Sequence, residues 1–210
     1  DMRCFILGAT GKTGTQLLDL ALQNGHSVTA FVRSPQKLPR DRPGLTVIQG
    51  SPGDVPALAQ AMAGHEAVFS ALAPRIGETF KAPAKRAWTM AGYAANIVQA
   101  MEQAGVKRLL VFSSAGLFPG QSLFVRVLSL PVRHHMADLR AMEEVYQASG
   151  LDWTLLRPIW MGAGESEAYR VAAGALPEGS KAMHFRGLAK FMLDAAAQGT
   201  HRRELLGIGR

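Results

Sequence analysis

The chain has 210 residues, of which 48% are hydrophobic and 19% are charged. This length and composition fit one folded globular domain with a large core, and they exclude a mainly disordered or fibrous chain. The net charge of +7 favours anionic partners, but the basic residues are dispersed and aromatic residues amount to only 7%, which argues against nucleic acid as a partner.

Two further features bear on where the protein works. No apolar run approaches the roughly 20 residues that cross a bilayer, and no signal-peptide pattern opens the chain, so we expect no membrane association. The single cysteine, Cys4, lies within an apolar run, which indicates a buried and unreactive thiol. A reducing, cytoplasmic location fits this cysteine usage best.

Short apolar runs alternate with helical stretches along the chain. We predict strands at residues 3–7, 27–32, 45–48, 67–72, 108–112, 153–156 and near 204–208, and helices at 13–24, 55–63, 84–104, 134–149 and 188–197. This alternation is typical of βαβ units, so we predict a single α/β domain over residues 1–210, with three α/β/α layers and a predominantly parallel sheet. The Gly- and Pro-containing region from Ile159 to His184 breaks the rhythm, and we predict that it is a small C-terminal, substrate-side elaboration.

A glycine-rich segment, Gly8-Ala-Thr-Gly11-Lys-Thr-Gly14, joins the first strand to the first helix. Here glycines permit a tight turn, let backbone approach a pyrophosphate and allow close packing of helix on strand, while free helix N–H groups attract phosphates. The spacing is GxxGxxG rather than GxGxxG, but the strand-loop-helix context predicts a dinucleotide site in a Rossmann-like fold.

The end of the second strand bears on the choice of dinucleotide. An NAD-selective site usually has a carboxylate near this point, whereas Arg33 would attract a 2′-phosphate, with Lys37 adding charge and Ser34 a hydrogen-bond donor. The pattern favours NADP(H), with NAD(H) as the alternative. Arg33 can also be read as an ordinary solvated charge at a strand end.

Five ordered motifs together carry a family resemblance over nearly the whole chain. They are the glycine loop, Val32-Arg33, Ala104-Gly-Val-Lys-Arg-Leu109, Phe112-Ser-Ser114 and Ser149-Gly-Leu-Asp-Trp-Thr-Leu-Leu-Arg-Pro158. The chain resembles the atypical short-chain dehydrogenases/reductases, in particular the NAD(P)H-binding branch that includes biliverdin-IXβ reductase/flavin reductase and NmrA-like proteins.

The resemblance implies a set of cofactor-binding residues at the ends of the strands. They are Gly8, Thr10, Gly11, Lys12, Thr13, Gly14, Arg33, Ser34, Lys37, Ser51, Ala71, Leu72, Ala73, Ser113 and Pro158. Family members often have Gly-Asp after the third strand, whereas this chain has Gly50-Ser51, with Asp54 three residues further on.

The proton-transfer pair of many short-chain dehydrogenases, Tyr-x-x-x-Lys, is absent, because no tyrosine is followed four residues later by lysine. Motif register places His135 where the tyrosine would stand and Leu139 where the lysine would stand. Ser114 and His135 are therefore the candidate catalytic residues. The alternatives are a turn-forming role for Ser114 and a surface or cleft-lining role for His135.

Trp160 directly follows Arg157-Pro158 and is the preferred candidate for stacking on a flat substrate, with core packing as the alternative. Further candidates have core packing or a solvated loop as their alternatives: Phe118 and Trp88 for stacking, and Lys81, Lys85 and Arg86 for attracting an anionic substrate. The histidines lack the spacing of metal ligands, so we predict no metal.

The leading hypothesis is an NADPH-dependent reductase that transfers hydride to a flavin, quinone, tetrapyrrole or other conjugated acceptor. Such acceptors can take the balancing proton from solvent, so the missing pair is tolerable. The first alternative is a non-catalytic NAD(P)-binding redox sensor or regulator resembling NmrA-like proteins. The second is a sugar-nucleotide epimerase or dehydratase.

Overall fold

The computed structural model describes residues 1–39, 41–74, 89–120 and 133–210. The described strands are β1 (Arg3–Leu7), β2 (Ser27–Val32), β3 (Leu45–Gln49), β4 (Ala67–Ser70), β5 (Arg108–Phe112), β6 (Asp152–Pro158), β7 (Met161–Gly162), β8 (Arg170–Ala173), β9 (Met183–His184) and β10 (Glu204–Gly209). Eight of them form the central sheet, in the order β3-β2-β1-β4-β5-β6-β10-β8, and β7 pairs separately with β9.

All pairings in the large sheet are parallel except that of β8 with β10. The chain runs outward from β1 to β2 and β3, and then returns to place β4 on the other side of β1. Strand order therefore reverses between β1 and β4, and the crevice at the carboxyl ends of these strands is where doubly wound folds bind ligands. The predicted three-layer α/β fold with a predominantly parallel sheet is confirmed.

Five helices cover the two faces of the sheet in the described part of the chain. They are α1 (Lys12–Gln23), α2 (Val55–Met62), α3 (Thr89–Ala104), α4 (Arg133–Ala148) and α5 (Phe185–Gln198). Helix α1 packs against α5, whereas α2 packs against α3 and α3 against α4.

Strand β1 shows why both faces must be covered. Cys4 and Ile6 belong to the core beneath α1 and α5, while Phe5 and Leu7 belong to the core beneath the other helices. Successive strand residues point to opposite faces, so an uninterrupted apolar run requires apolar partners on both sides. Cys4 is fully buried, and burial, followed by the nearby Glu66 carboxylate, raises the pKa of its thiol to about 12. The interpretation of Cys4 as a buried thiol is confirmed.

Most predicted boundaries agree with the structure within one or two residues, and three of the boundaries need comment. Strand β6 extends through Pro158 instead of stopping before it, because β10 pairs with it up to that residue. Helix α5 begins at Phe185, three residues before the predicted start. The helix predicted from residue 84 begins at Thr89 in the described chain, and residues 84–88 lie outside the described ranges.

The region predicted as an elaboration contains β7, β8 and β9. Strand β8 adds an antiparallel edge to the main sheet, while β7 and β9 form the separate pair. Its attachment to the domain includes an ion pair of 2.7 Å between Arg186, at the start of α5, and Glu167.

A buried arginine holds the amino ends of β5 and β6 together. Arg108 donates hydrogen bonds of 2.8–3.2 Å to four acceptors, which are the carbonyls of Asp152, Ala195 and Thr200 and the hydroxyl of Thr154. Burial, followed by repulsion from Arg202, lowers its pKa to about 10 against the opposing effect of Asp152. Arg108 lies at the opposite end of the sheet from the glycine loop, so its role is structural.

Candidate functional site

The glycine loop is wedged between the ends of β1 and β4. Gly8 has a φ of +76°, and its carbonyl accepts a 3.0 Å hydrogen bond from the Gly11 amide. A Cβ atom on Gly8 would lie 2.5 Å from the carbonyl oxygen of Ala71, and one on Gly14 would lie 2.0 Å from the carbonyl oxygen of Gly8. No side chain larger than hydrogen fits at either position without moving backbone.

The start of α1 is open to a ligand. Its N-cap residue is Gly11, and no side chain caps this end of the helix. The Thr15 hydroxyl instead donates to the carbonyls of Gly11 and Ala9, at 2.7 and 3.3 Å. The first N–H groups of a helix have no partner within the helix, and together with the helix dipole they form an anion site.

The side chains around this site differ in exposure. Thr10 and Lys12 are exposed, whereas Thr13 is buried. The Lys12 ammonium lies 5.5 Å from the centre of the Phe185 ring, so it extends towards the start of α5. The open helix end and the close backbone approach at the glycines fit the pyrophosphate of a dinucleotide.

Arg33 directly follows β2, at the same edge of the sheet as the glycine loop. Its side chain is exposed, and its carbonyl accepts a 3.4 Å hydrogen bond from the Gln49 side chain. Ser34 is the N-cap of the 3₁₀ turn Pro35–Lys37, and the side chain of Lys37 is exposed. Two cations therefore stand within five residues at the end of β2.

The end of β3 lies beside β2. A Cβ atom on Gly50 would lie 2.0 Å from the ring of Phe31, so this position also excludes a side chain. The exposed Ser51 accepts a 3.2 Å hydrogen bond from the Gly53 amide, and Asp54 caps the first turn of α2. The Asp54 carboxylate is thus bonded within its own helix.

The segment after β4 lies against the glycine loop. The Ala71 amide donates a 2.9 Å hydrogen bond to the Leu7 carbonyl, which continues the pairing of β4 with β1 by one residue. Ala71 is buried, Leu72 is half-buried and Ala73 is exposed. The chain therefore emerges from the core along the edge of the crevice.

Ser113, after β5, belongs to a buried charged network. Its hydroxyl donates to the Glu143 carboxylate, which also accepts two bonds from the Arg157 guanidinium, at 3.0 and 2.7 Å. The guanidinium lies 4.7 Å from the centre of the Phe118 ring. Glu143 is 2% exposed and Arg157 is 9% exposed. The Ser113 hydroxyl is therefore directed at α4, and Phe118 is part of this packing.

Ser114 is half-buried and begins the 3₁₀ turn Ala115–Leu117, where its hydroxyl accepts a 3.1 Å hydrogen bond from the Gly116 amide. A Cβ atom on Gly116 would lie 2.7 Å from the Met136 methyl carbon, so the first turn of α4 packs on this turn. The half-buried His135 is in that same helical turn. The structure thus brings the local segments of Ser114 and His135 to one end of the sheet.

Pro158 is the last residue of β6 and is buried opposite Ile208 of β10. Trp160, two residues later, is 81% exposed, while its carbonyl accepts a 3.1 Å hydrogen bond from the Met183 amide. An indole exposed to this degree is not packed in the core. The other predicted candidates Lys81, Lys85, Arg86 and Trp88 lie outside the described residues.

Two tyrosines in the described chain are bonded within the protein. Tyr146 is fully buried, and burial raises the pKa of its phenol despite a hydrogen bond with Ser70. Tyr169 donates a 2.8 Å hydrogen bond to Asp194, which also pairs with Lys190. Burial, the hydrogen bond and the charge of Asp194 raise the pKa of Tyr169 to about 12.

Sequence reasoning did not assign Glu143, although the pattern of α4 contains a signal. Leu139, Met142 and Tyr146 are buried at helical spacing, and position 143 lies on that same face. A carboxylate on a buried face needs a partner, but its spacing does not say which one.

A second buried carboxylate on α4 was also missed. Asp138 accepts hydrogen bonds of 2.9 and 3.0 Å from the amides of Met90 and Ala91. It therefore caps the start of α3 from a neighbouring helix, which is favourable for both the free amides and the helix dipole.

The described residues contain neither a metal-ligand cluster nor a membrane-spanning helix. No group of three His, Cys, Asp or Glu residues there could hold a metal ion. No helix in those ranges is long and apolar enough to cross a membrane.

The reversal of strand order, the glycine loop and the open helix end define a dinucleotide-binding α/β protein. The chain belongs to the NAD(P)H-binding family, whose model matches residues 8–199. The resemblance to atypical short-chain dehydrogenases/reductases is confirmed, and the family assigns the cofactor to the NAD(P)H class.

Relatives and solved structures agree with this family. An uncharacterised chloroplastic protein of Arabidopsis thaliana is 28% identical over 74% of this chain and 58% of its own length. Oxidoreductase aflX of Aspergillus parasiticus is 31% identical over 70% of this chain and 59% of its own length. The chain thus spans less than two thirds of either relative.

A short-chain dehydrogenase/reductase of Veillonella parvula, solved in complex with NADP, superposes with a TM-score of 0.80 over 100% of this chain and 94% of that one, at 24% identity. This similarity supports the fold.

Proposed function

We propose that the protein is an NADPH-dependent oxidoreductase that transfers hydride to a flavin, quinone, tetrapyrrole or other conjugated acceptor. The observation that carries the proposal is the open start of α1 beside the close backbone contacts of Gly8 and Gly14, at the point where strand order reverses. Membership of the NAD(P)H-binding family and the similarity to a relative named as an oxidoreductase support the same conclusion.

The cofactor-binding residues divide between two ends of the crevice. The free N–H groups of α1 would hold the pyrophosphate, and Arg33 with Lys37 would meet a 2′-phosphate. Ser51 would contact the adenosine end, and Ala71, Leu72 and Ala73 would lie along the dinucleotide. Bound NADPH would supply the hydride, and the residues of this chain would orient it towards the acceptor.

The side chains near β5 and β6 support a conjugated acceptor. The chain lacks Tyr-x-x-x-Lys, and Tyr146 is buried with a raised pKa. Ser114 and His135 are the candidates for orienting the acceptor or moving a proton, and the exposed Trp160 offers a flat surface for stacking. A conjugated acceptor that takes its proton from water suits this inventory better than a simple ketone.

The test begins with binding and continues with turnover. NADPH and NADH are titrated into the protein by fluorescence, and NADPH oxidation is then followed at saturating protein with FMN, FAD, quinones and biliverdins. We expect tighter binding of NADPH and turnover with at least one acceptor. The same reactions without protein provide the background rate. Rates equal to that background across the whole panel would refute the reductase.

A second function, a redox sensor that binds NAD(P)H without turnover, is favoured by one observation. The Ser113 hydroxyl is bonded to Glu143, and no Tyr-Lys pair accompanies it. Cofactor binding without turnover, together with a partner protein recovered with only the oxidised or only the reduced cofactor, would support the sensor.

A further inference from the structure

A charged pair lies buried at the carboxyl edge of the sheet. Glu143 on α4 and Arg157 on β6 are joined by two hydrogen bonds, at 3.0 and 2.7 Å, and the Ser113 hydroxyl donates to the same carboxylate. The Phe118 ring covers the guanidinium. These contacts join the ends of β5 and β6 to α4, immediately before the segments that carry Ser114 and Trp160.

The pair lies on one side of the point where strand order reverses. Doubly wound sheets bind one mononucleotide half over the strands on each side of that point. The cations Arg33 and Lys37 lie at the end of β2. Under the proposed function they meet the 2′-phosphate, and the adenosine half would then lie over β1–β3. The nicotinamide half then falls over β4–β6, where Ser113 and Arg157 lie.

The net charge of the protein near the nicotinamide ring matters because the oxidised and reduced cofactors differ in the charge of that ring. The oxidised nicotinamide ring carries a positive charge, and the reduced ring is neutral. A buried cation without its partner would repel the oxidised ring more than the reduced one, and a buried anion would do the opposite. In the native protein Glu143 and Arg157 neutralise each other.

Building on the proposed NADPH-dependent function, we infer that Glu143 and Arg157 are positioning residues that, as a neutral pair, keep local charge from biasing the site towards the oxidised or the reduced cofactor. Glu143 holds the Arg157 guanidinium and the Ser113 hydroxyl against α4. It also cancels the charge of Arg157 beside the nicotinamide end.

The experiment compares Glu143→Gln, Arg157→Gln and the double variant. Dissociation constants of NADPH and NADP+ are measured by fluorescence titration and by competition, well below the unfolding midpoint of each variant. For two unit charges about 12 Å apart at an effective dielectric constant of about 20, Coulomb's law corresponds to about a tenfold change in affinity.

We expect Glu143→Gln to raise the ratio of the NADP+ to the NADPH dissociation constant about tenfold, and Arg157→Gln to lower it by a similar factor. The double variant, which restores neutrality, should return within about twofold of the wild-type ratio. The matched control is Asp194→Asn, which removes a half-buried carboxylate on α5 that pairs with Lys190. It should leave the ratio unchanged.

A purely structural role predicts a different pattern, in which both single variants weaken the two cofactor forms equally and the double variant recovers nothing. That pattern would overturn the inference. If Glu143→Gln fails to fold, the comparison of Arg157→Gln with the double variant still decides the sign. Failure of the wild-type protein to bind either cofactor would refute the proposed function itself, whereas binding of both forms with unchanged ratios would refute this inference alone.

Discussion

Replacement of Gly14 by alanine tests whether close packing of α1 on the glycine loop makes the cofactor site. The added Cβ would lie 2.0 Å from the carbonyl oxygen of Gly8 and 2.7 Å from its carbonyl carbon. Cβ contacts below 3.0 Å are essentially never observed. The start of α1 must therefore move by about 1 Å, and both contacts are with backbone that cannot rotate away.

Two opposing terms set the stability of Gly14→Ala. Alanine is favoured over glycine within a helix by about 1 kcal/mol, but forcing an extra carbon into a packed contact costs about 1–3 kcal/mol and occasionally more. Because the obstacle is backbone, we expect the packing cost to prevail, with a net loss of up to about 2 kcal/mol. In a domain of this size each kcal/mol lowers the melting temperature by about 2–4 °C.

The same displacement should weaken cofactor binding. Hydrogen bonds between helix N–H groups and a phosphate are near 2.9 Å, and a shift of about 1 Å takes them beyond bonding distance. Loss of one bond to a charged group costs about 1.5–3 kcal/mol, so the dissociation constant of NADPH should rise at least tenfold.

Gly92 offers the matched control, because it lies in helix α3 with nothing within 4 Å of its added Cβ. Gly92→Ala should gain about 0.5–1 kcal/mol of stability and keep its affinity for NADPH. Thermal unfolding and fluorescence titration measure both quantities. A Gly14→Ala protein as stable as the wild type, with unchanged affinity, would refute the reasoning.

Three further predictions concern other parts of the molecule. Arg33→Ala should reduce the preference for NADPH over NADH, measured as the ratio of the two dissociation constants; an unchanged ratio would mean that Arg33 is an ordinary surface charge. Arg108→Met should lower the free energy of unfolding, measured by denaturant titration, by about 2–4 kcal/mol, because four hydrogen bonds lose their donor. The control is Arg202→Met at an exposed position, which should lower the same free energy by less than about 1 kcal/mol. The pKa of Tyr169 is raised to about 12 from an ordinary value of 10.0. The protonated phenol therefore stabilises the folded protein fully below pH 10, and this stabilisation is lost as the pH rises through 12. Tyr169→Phe should therefore show a smaller loss of stability across this window, and identical slopes for the two proteins would contradict the assignment.

The fold was predictable because its signals are local. The apolar run of β1, the glycines that follow it and the helical pattern of α1 each depend on neighbouring residues, and the alternation repeats along the chain. The end of β6 at Pro158 was not predictable from the sequence. Proline lacks a backbone N–H donor but can still be the last residue of a strand, and here β6 continues to Pro158 because β10 pairs with it up to that residue.

The candidate site was predictable only as a set of positions at strand ends. The assignments of Ser114, His135 and Trp160 stay predictions, although the structure places their segments at the carboxyl edge of the sheet. The Asp54 carboxylate, close in sequence to Ser51, turns out to cap α2.

The sequence by itself determined that this chain folds into parallel βαβ units with a glycine-rich loop after the first strand, because hydrophobic periodicity and glycine conformation act over a few residues. Only the tertiary structure decided which buried charges meet. Glu143 and Arg157 are 14 residues apart and lie on a helix and a strand, so their pairing depends on how α4 packs on the sheet. That packing brings the Glu143 carboxylate to the Ser113 hydroxyl, a contact that no local pattern in the sequence indicates.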